Sequence, residues 1–479
     1  MPGAAANVAT MSGIPVGREK PAPADLRVDL LGMVELLLSH LTPALCETVF
    51  RRHRKTERER KWTFHALCLF WAAMIVRRPP SLRHGLDQTR KGRARDKLWP
   101  RVLARAEAFF EKAQGQRPGL FMHLYRAFVQ SILPKAPEAY ASWMKSLRQQ
   151  FAEIHIVDGS RLDAICHGLK ILRDVRAPIL PGCVTAFYDL YRGFCRELLF
   201  FPNAAEAELP RGQKALGWIA PGALIVGDRL YSSLQYFRVL TERNLFGLFR
   251  KNGRLNIRRL EVLSSKAGSR CLLEDLLVEV GCGVGEPKWK LRLIRYRGQG
   301  RRLDLLTSVL DPKMLSAQDA VQLYGLRWSI ERLFLDLKET LDLHGLYAMH
   351  PNIVAQQVYA AGLVHVAFRI AQAKIAQTAG VLPEQLSPAK LFPKLAQAAN
   401  DYCVSQIRDD RIRQANPGVE IKFPSLRTMP FAHTRLGTIL LEKRSPHRRR
   451  RRFCQSRRRW KSFAHVTGGP TLLQSASVD

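Results

Sequence analysis

The chain has 479 residues, more than one ordinary domain needs, and 46% of them are hydrophobic, which excludes a disordered protein. Its 76 Lys and Arg against 41 Asp and Glu leave a net charge of +35, a field that favours a polyanionic partner, most often nucleic acid. Ribosome-like and membrane-surface binding carry the same sign, so charge alone does not choose among them.

Residues 1–26, rich in Ala, Gly and Pro, read as a flexible leader without the basic start and apolar stretch of a secretory signal. Residues 27–150 are expected to be a helical DNA-binding domain. It contains RVDLLGMVELLLSHL (27–41), FHALCLFWAAMIV (64–76), RVLARAEAFFEKA and FMHLYRAFVQSILPK. The run at 64–76 is too short to span a bilayer, so a buried helix, no membrane partner and a cytoplasmic location are expected. Between the first two helices lies the basic FRRHRKTERERKW. It reads either as a solvated helix face with internal ion pairs or as a DNA contact.

The texture changes at residue 151. FAEIHIVDGSRLDAI suggests a short strand, Ile154–Val157, ending in Asp158 and a turn. CVTAFYDLYRGFCRELLFFPN suggests two strands joined by a Tyr-Arg-Gly turn at 191–193. Residues 204–218 suit a helix interrupted near Pro210. ALIVGDRLYSS reads as a buried strand ending in Asp228, followed by a helix over Ser232–Arg243 and a strand in FGLFRKN. Residues from about 250 to 310 read as a β-rich insertion of short alternating runs and Gly-rich turns. A helix over Tyr324–Lys338 and the long apolar VAQQVYAAGLVHVAFRIAQAKIA follow.

Residues 376–479 form a basic C-terminal region. Its arginine-rich tail at 443–461 carries eleven Lys and Arg and no acid, and reads as a nucleic-acid-binding arm that releases counterions from phosphates. The nine cysteines form no C-x-x-C pair, so reduced thiols are expected and zinc is not.

Two aspartates close apolar strands, Asp158 and Asp228, and Glu331 comes from a helix. Three oxygen-donor carboxylates on separate elements are the donor set for two hard divalent cations and in-line phosphoryl transfer. Each has a plainer explanation: an Asx-turn for Asp158, a helix cap for Asp228, an i,i+4 partner of Arg327 for Glu331. Asp163, Asp174 and Asp189 are rivals read as structural or exposed. On one continuous helix, Tyr324, Arg327, Glu331 and Lys338 would fall within roughly 60° of one face.

The spacing Tyr324-x2-Arg327-x3-Glu331-x6-Lys338 resembles the Y-R-E-K signature of bacterial DDE transposases of the insertion-sequence family-four type. Asp158 in IHIVDGSRL and Asp228 in LIVGDRLYSS, with Tyr231 three residues on, are similar to that family's other signature positions. The resemblance covers about residues 150–370.

It implies an α/β fold whose RNase H-like core, within a catalytic domain at 151–375, carries Asp158, Asp228 and Glu331 as catalytic metal ligands. The cofactor would be Mg²⁺, with Mn²⁺ as substitute. Tyr324, Arg327 and Lys338 would hold transposon-end phosphates. Trp328 matches an aromatic position of members that form DNA hairpins, and Trp289, in the insertion, is either a stacking residue or core. The expected partners are terminal inverted repeats and target DNA, bound by a homodimer in a synaptic complex. The competing readings are an RNase H-like nuclease without strand transfer and a non-catalytic DNA-binding relative.

Overall fold

The computed structural model describes residues 27–91, 98–162, 182–203, 206–268, 271–281, 288–298, 300–343, 345–415 and 428–430. The expected leader, Asp163, Asp174 and the tail at 443–461 lie outside them. Strand β1 (Arg27–Asp29) precedes α1 (Gly32–His40), so the helix expected from Arg27 starts later. Thr42 and Thr63 open α2 (Pro43–His53) and α3 (Phe64–Arg77), each hydroxyl accepting from the backbone N–H three residues on.

The basic segment between α2 and α3 is not a continuous solvated helix, because the helix stops at His53. One of its acids turns inward. Glu57 is buried and accepts from the Lys55 N–H and the Arg117 guanidinium; burial alone would raise its pKa, but these bonds hold it down to about 2. Helices α4 (Leu82–Lys91), α5 (Ala106–Gly115), α6 (Pro118–Ile132) and α7 (Lys145–Gln150) follow.

The next segment builds β2 (Ile154–Arg161), the hairpin β3 (Cys183–Asp189) and β4 (Phe194–Phe201), and α8 (Glu208–Ala215). Pro210 does not interrupt α8; it sits in the first turn, where a missing N–H leaves no helical bond unmade. Then come β5 (Leu224–Gly227), α9 (Leu234–Glu242), capped by Ser233, and β6 (Phe246–Arg250). The insertion is four antiparallel strands, β7 (Ile257–Gly268), β8 (Cys271–Val280), β9 (Trp289–Gly298) and β10 (Arg301–Thr307).

These strands form one nine-stranded sheet ordered β4-β3-β2-β5-β6-β10-β9-β8-β7. β2 pairs antiparallel with β3 and parallel with β5, and β5 pairs parallel with β6. The insertion therefore extends the central sheet through the antiparallel β6–β10 pair.

The Tyr324–Lys338 segment is three pieces instead of one helix: α10 (Ala317–Gly325), α11 (Trp328–Leu335) and a π-helical turn, Asp336–Thr340. Helix α12 (Pro351–Thr378) is long and apolar enough to cross a membrane, and its most apolar 18 residues are entirely buried in this protein, the helix packing against α1, α3, α5, α6 and β4. Polar links fix it there: Trp71 Nε1 donates to Gln356 Oε1 at 2.9 Å, and Gln356 donates to the Ala113 carbonyl. Helix α13 (Pro388–Ala415) follows, and β11 (Thr428–Pro430) pairs with β1.

Candidate active site

Asp158 lies inside β2, not at its end, because the strand continues through Arg161 beside β3. One carboxylate oxygen accepts from the Gly159 N–H at 2.9 Å. Asp228 does follow a strand, immediately after β5, where it accepts from the Leu230 N–H at 2.7 Å and shapes the turn into α9. Because β2 and β5 are parallel neighbours, both carboxylates emerge at the same end of the sheet. Asp189, the described rival, is structural: fully buried, it accepts from the backbone of Tyr191 and Arg192 and pairs with the Arg192 side chain.

The break at Leu326–Arg327 matters for the opposite wall. Arg327 caps α11 and reaches back to β2, with a guanidinium nitrogen 3.8 Å from Asp158 and another 3.1 Å from Glu331. It thus stands between two of the three expected metal ligands. Lys338 donates to Ser160 Oγ on β2 at 2.9 Å, from the π turn, which seats the lysine two residues beyond Asp158. The far end of that turn is held by Arg78, at the left-handed C-cap of α3, which donates to the Thr340 carbonyl. Tyr324 is half-buried; burial raises its phenol pKa, opposed by Arg327 and Arg250.

One residue at the site was not singled out by the sequence reading. Glu208, the first residue of α8, accepts a 2.8 Å hydrogen bond from the hydroxyl of Tyr231, which is fully buried three residues beyond Asp228. Its carboxyl also packs on Gly159, so closely that a Cβ there would come within 2.7 Å of Glu208 Cδ. Glu208 therefore touches the segment carrying Asp158 and the segment carrying Asp228. Burial, then the Glu208 charge, and more weakly Asp228, push the Asp158 carboxyl up to about 7 against the opposing Gly159 bond and Arg327. Tyr231 was the visible half of this pair; an acid at a helix start carries no signal of its own.

The donor chemistry of Asp158, Asp228 and Glu331, hard carboxylate oxygens on separate elements, fits a Mg²⁺-type cation. Among the described residues, however, no three acidic, His or Cys side chains are close enough together to hold an ion. The Arg327 guanidinium supplies the positive charge between Asp158 and Glu331 in this arrangement.

The two tryptophans part company. Trp328 is 54% exposed beside the site, with the Arg327 guanidinium 5.0 Å from its ring centroid. Trp289 is not brought there. Gly227, Phe249, Leu306 and Leu293 share one row across the sheet, β9 runs in the direction of β5, and Trp289 lies four residues back from Leu293. That places it about 17 Å along the strand direction from the Asp228 row, towards the opposite end of the sheet.

Residues 185–366 match the family model described as a transposase DDE domain. The match supports a DDE transposase, covers under half of the chain, and includes Asp228, Tyr324, Arg327, Glu331 and Lys338; Asp158 precedes it. No curated protein matches the chain. Among solved structures, a cryo-EM piggyBac transposase synaptic complex with hairpin DNA is similar at 11% identity, over 87% of this chain and 85% of that one. Its TM-score of 0.34 is too low for that likeness to carry any argument.

Proposed function

We propose that this chain is a bacterial, cytoplasmic DNA transposase of the insertion-sequence family-four type. It binds terminal inverted repeats, cleaves DNA and joins the freed 3′-hydroxyl to target DNA. The observation that carries the reading is that Arg327, just before α11, reaches both Asp158 on β2 and Glu331, that Lys338 bonds Ser160 on β2, and that Asp228 follows the parallel neighbour β5, in a chain whose residues 185–366 match a transposase DDE domain. The order β4-β3-β2-β5-β6, with β2 antiparallel to its hairpin side and parallel to β5, supports an RNase H-like core.

In this reading Asp158, Asp228 and Glu331 would hold Mg²⁺, or Mn²⁺ in its place. When bound, the cations supply Lewis-acid activation of the attacking oxygen and charge stabilisation at the leaving oxygen. Arg327 balances Asp158 and Glu331 until DNA arrives, then offers its fork to phosphate oxygens. Lys338, bonded to Ser160 on β2, adds a point charge from the π turn, and Tyr324 a phenol donor. Trp328 gives an exposed ring for a base to stack on. Glu208 and Tyr231 keep the Asp158 and Asp228 segments in register. The helical region at 27–150 and the arginine-rich tail supply further DNA contacts, and joining two ends calls for a homodimeric synaptic complex.

The test is cleavage and strand transfer on a labelled terminal-repeat duplex with Mg²⁺, wild type against Glu331→Ala. The expected result is joined product from the wild type and a loss on the order of a thousandfold in the variant. Nicks without joined product would make the chain a nuclease, and activity that survives Glu331→Ala would remove Glu331 from the site.

A further inference from the structure

Away from the carboxylates lies a cavity of about 410 Å³ between α2, α6, β4 and the short 3-10 turn Leu216–Trp218. On one wall the imidazoles of His53 and His123 stack face to face, with centroids 3.6 Å apart and planes within 7°. The Trp218 ring, 55% exposed, meets His123 edge-on. The Arg126 guanidinium lies 3.9 Å from the centre of the Trp218 ring and is anchored by Glu197, 2.5 Å away and buried.

The chemistry of this lining is unusual for a packing defect. Burial holds both imidazoles below their ordinary pKa, His123 down to about 4 with help from His53 and Arg126, so at neutral pH they are uncharged π faces. Glu197 is neutralised by Arg126, which leaves no free negative charge in the wall. Arg52 and Arg196 also line the cavity, and neither makes an ion pair among the described residues. Arg196 donates to Gln130 at 3.2 Å, while its buried Nε has no partner. Stacked neutral rings, a half-open indole and two guanidinia without a carboxylate in ion-pair contact suit a ligand that is both planar and anionic.

We infer that this cavity takes a nucleoside monophosphate unit, its base against Trp218 and the imidazole pair and its phosphate on Arg52 and Arg196. The inference goes beyond the transposase reading and needs no catalysis at Asp158. The same chemistry is offered by a free nucleotide and by an unstacked nucleotide within a DNA strand.

The experiment is photo-cross-linking of the full chain with 5-iodo-2′-deoxyuridine monophosphate, with adducts located by mass spectrometry. Competitors are thymidine monophosphate, single-stranded hexathymidylate and inorganic phosphate. The expected adducts lie on Trp218, His123 or His53, and thymidine monophosphate suppresses them at concentrations about tenfold or more below inorganic phosphate, the margin stacking supplies. Trp218→Ala, and separately Arg52→Gln with Arg196→Gln on the rim, should each cut the yield about tenfold at unchanged melting temperature. The rim variant keeps the test decisive if Trp218→Ala does not fold. Suppression by hexathymidylate as well supports the site for a DNA strand, and suppression by the mononucleotide alone supports it for a free nucleotide. Adducts confined to the 443–461 tail or to the carboxylate site, or equal competition by phosphate, would overturn the inference.

Discussion

The sheet has two halves built on opposite principles. In β2–β6, strands are short, two of the pairings are parallel, and β3 and β5 are buried along their whole length. In β7–β10 every pairing is antiparallel, and burial fades outward until β7 is exposed over most of its length. Parallel strands need crossover helices, and those helices, α8 and α9, bring Glu208 and the Asp228 turn to one end of the sheet. The antiparallel half needs only turns, and among the described residues no helix lies between its strands. Asp158, Glu208 and Asp228 gather where crossovers and burial coincide.

The extension is tied to the segment before α10 by a specific link. Arg292 of β9, fully buried, pairs with Asp275 of β8 and donates to the carbonyls of Val309 and Leu315, just before α10. The largest effect expected on the comparison comes from cutting this link. Arg292→Met leaves Asp275 buried without its partner and should cost about 3–5 kcal/mol in urea unfolding. It should also loosen α10 and α11, so that hydrogen exchange rises around Arg327 as well as in β8 and β9. Faster exchange in the extension alone would show that the halves are mechanically independent.

The next test lies in the central half. Asp158 has a folded pKa of about 7, well above the ordinary carboxylate value, so the folded protein binds a proton there that the unfolded chain has lost. Stability should therefore fall as pH rises from about 4 to 7, and the cost of the buried charge is full above 7. In metal-free protein, Asp158→Asn should gain about 2–4 kcal/mol over wild type at pH 8, with little gain at pH 4. Parallel stability curves for the two proteins, measured by calorimetry across that range, would remove the strain from Asp158.

Smaller effects sharpen the account of Glu208. Tyr231→Phe and Glu208→Gln should each weaken Mn²⁺ binding by about 10–100-fold, read by isothermal titration, as for residues that support metal ligands. Glu208→Gln keeps an acceptor for Tyr231, so the larger loss in that variant would assign the effect to charge, and the larger loss in Tyr231→Phe to position. The smallest effect is expected of Lys338→Ala. It removes one phosphate contact and should lower the salt slope of DNA binding by about one, without changing sequence preference.

Much of the candidate site was legible in the sequence because its residues sit at fixed spacings on strongly patterned segments. Asp228 follows LIVG, and Tyr324, Arg327, Glu331 and Lys338 keep a signature that survives even though the helix does not. A regular helix was the natural reading of that segment, since nothing in YGLRWSIERLFLDLK breaks helical periodicity. The turn at Leu326–Arg327 and the π turn at Asp336–Thr340 arise instead from partners distant in sequence: Asp158, Ser160 and Arg78. Trp289 shows the reverse, a chemically apt residue that its strand register places away from the Asp228 row.

By itself the sequence determined most of the strands and helices of this protein, its basic character and which carboxylates are candidates for phosphoryl transfer. These follow from local pattern, charge count and spacing, which need no neighbour to be read. Only the tertiary structure decided that Arg327 stands between Asp158 and Glu331, that Glu208 joins Gly159 to Tyr231, and that four helix and strand segments enclose a cavity of rings and guanidinia. Each of these is a contact between residues far apart in the chain. Such contacts are fixed by sheet order and register, and no local period in the sequence encodes them.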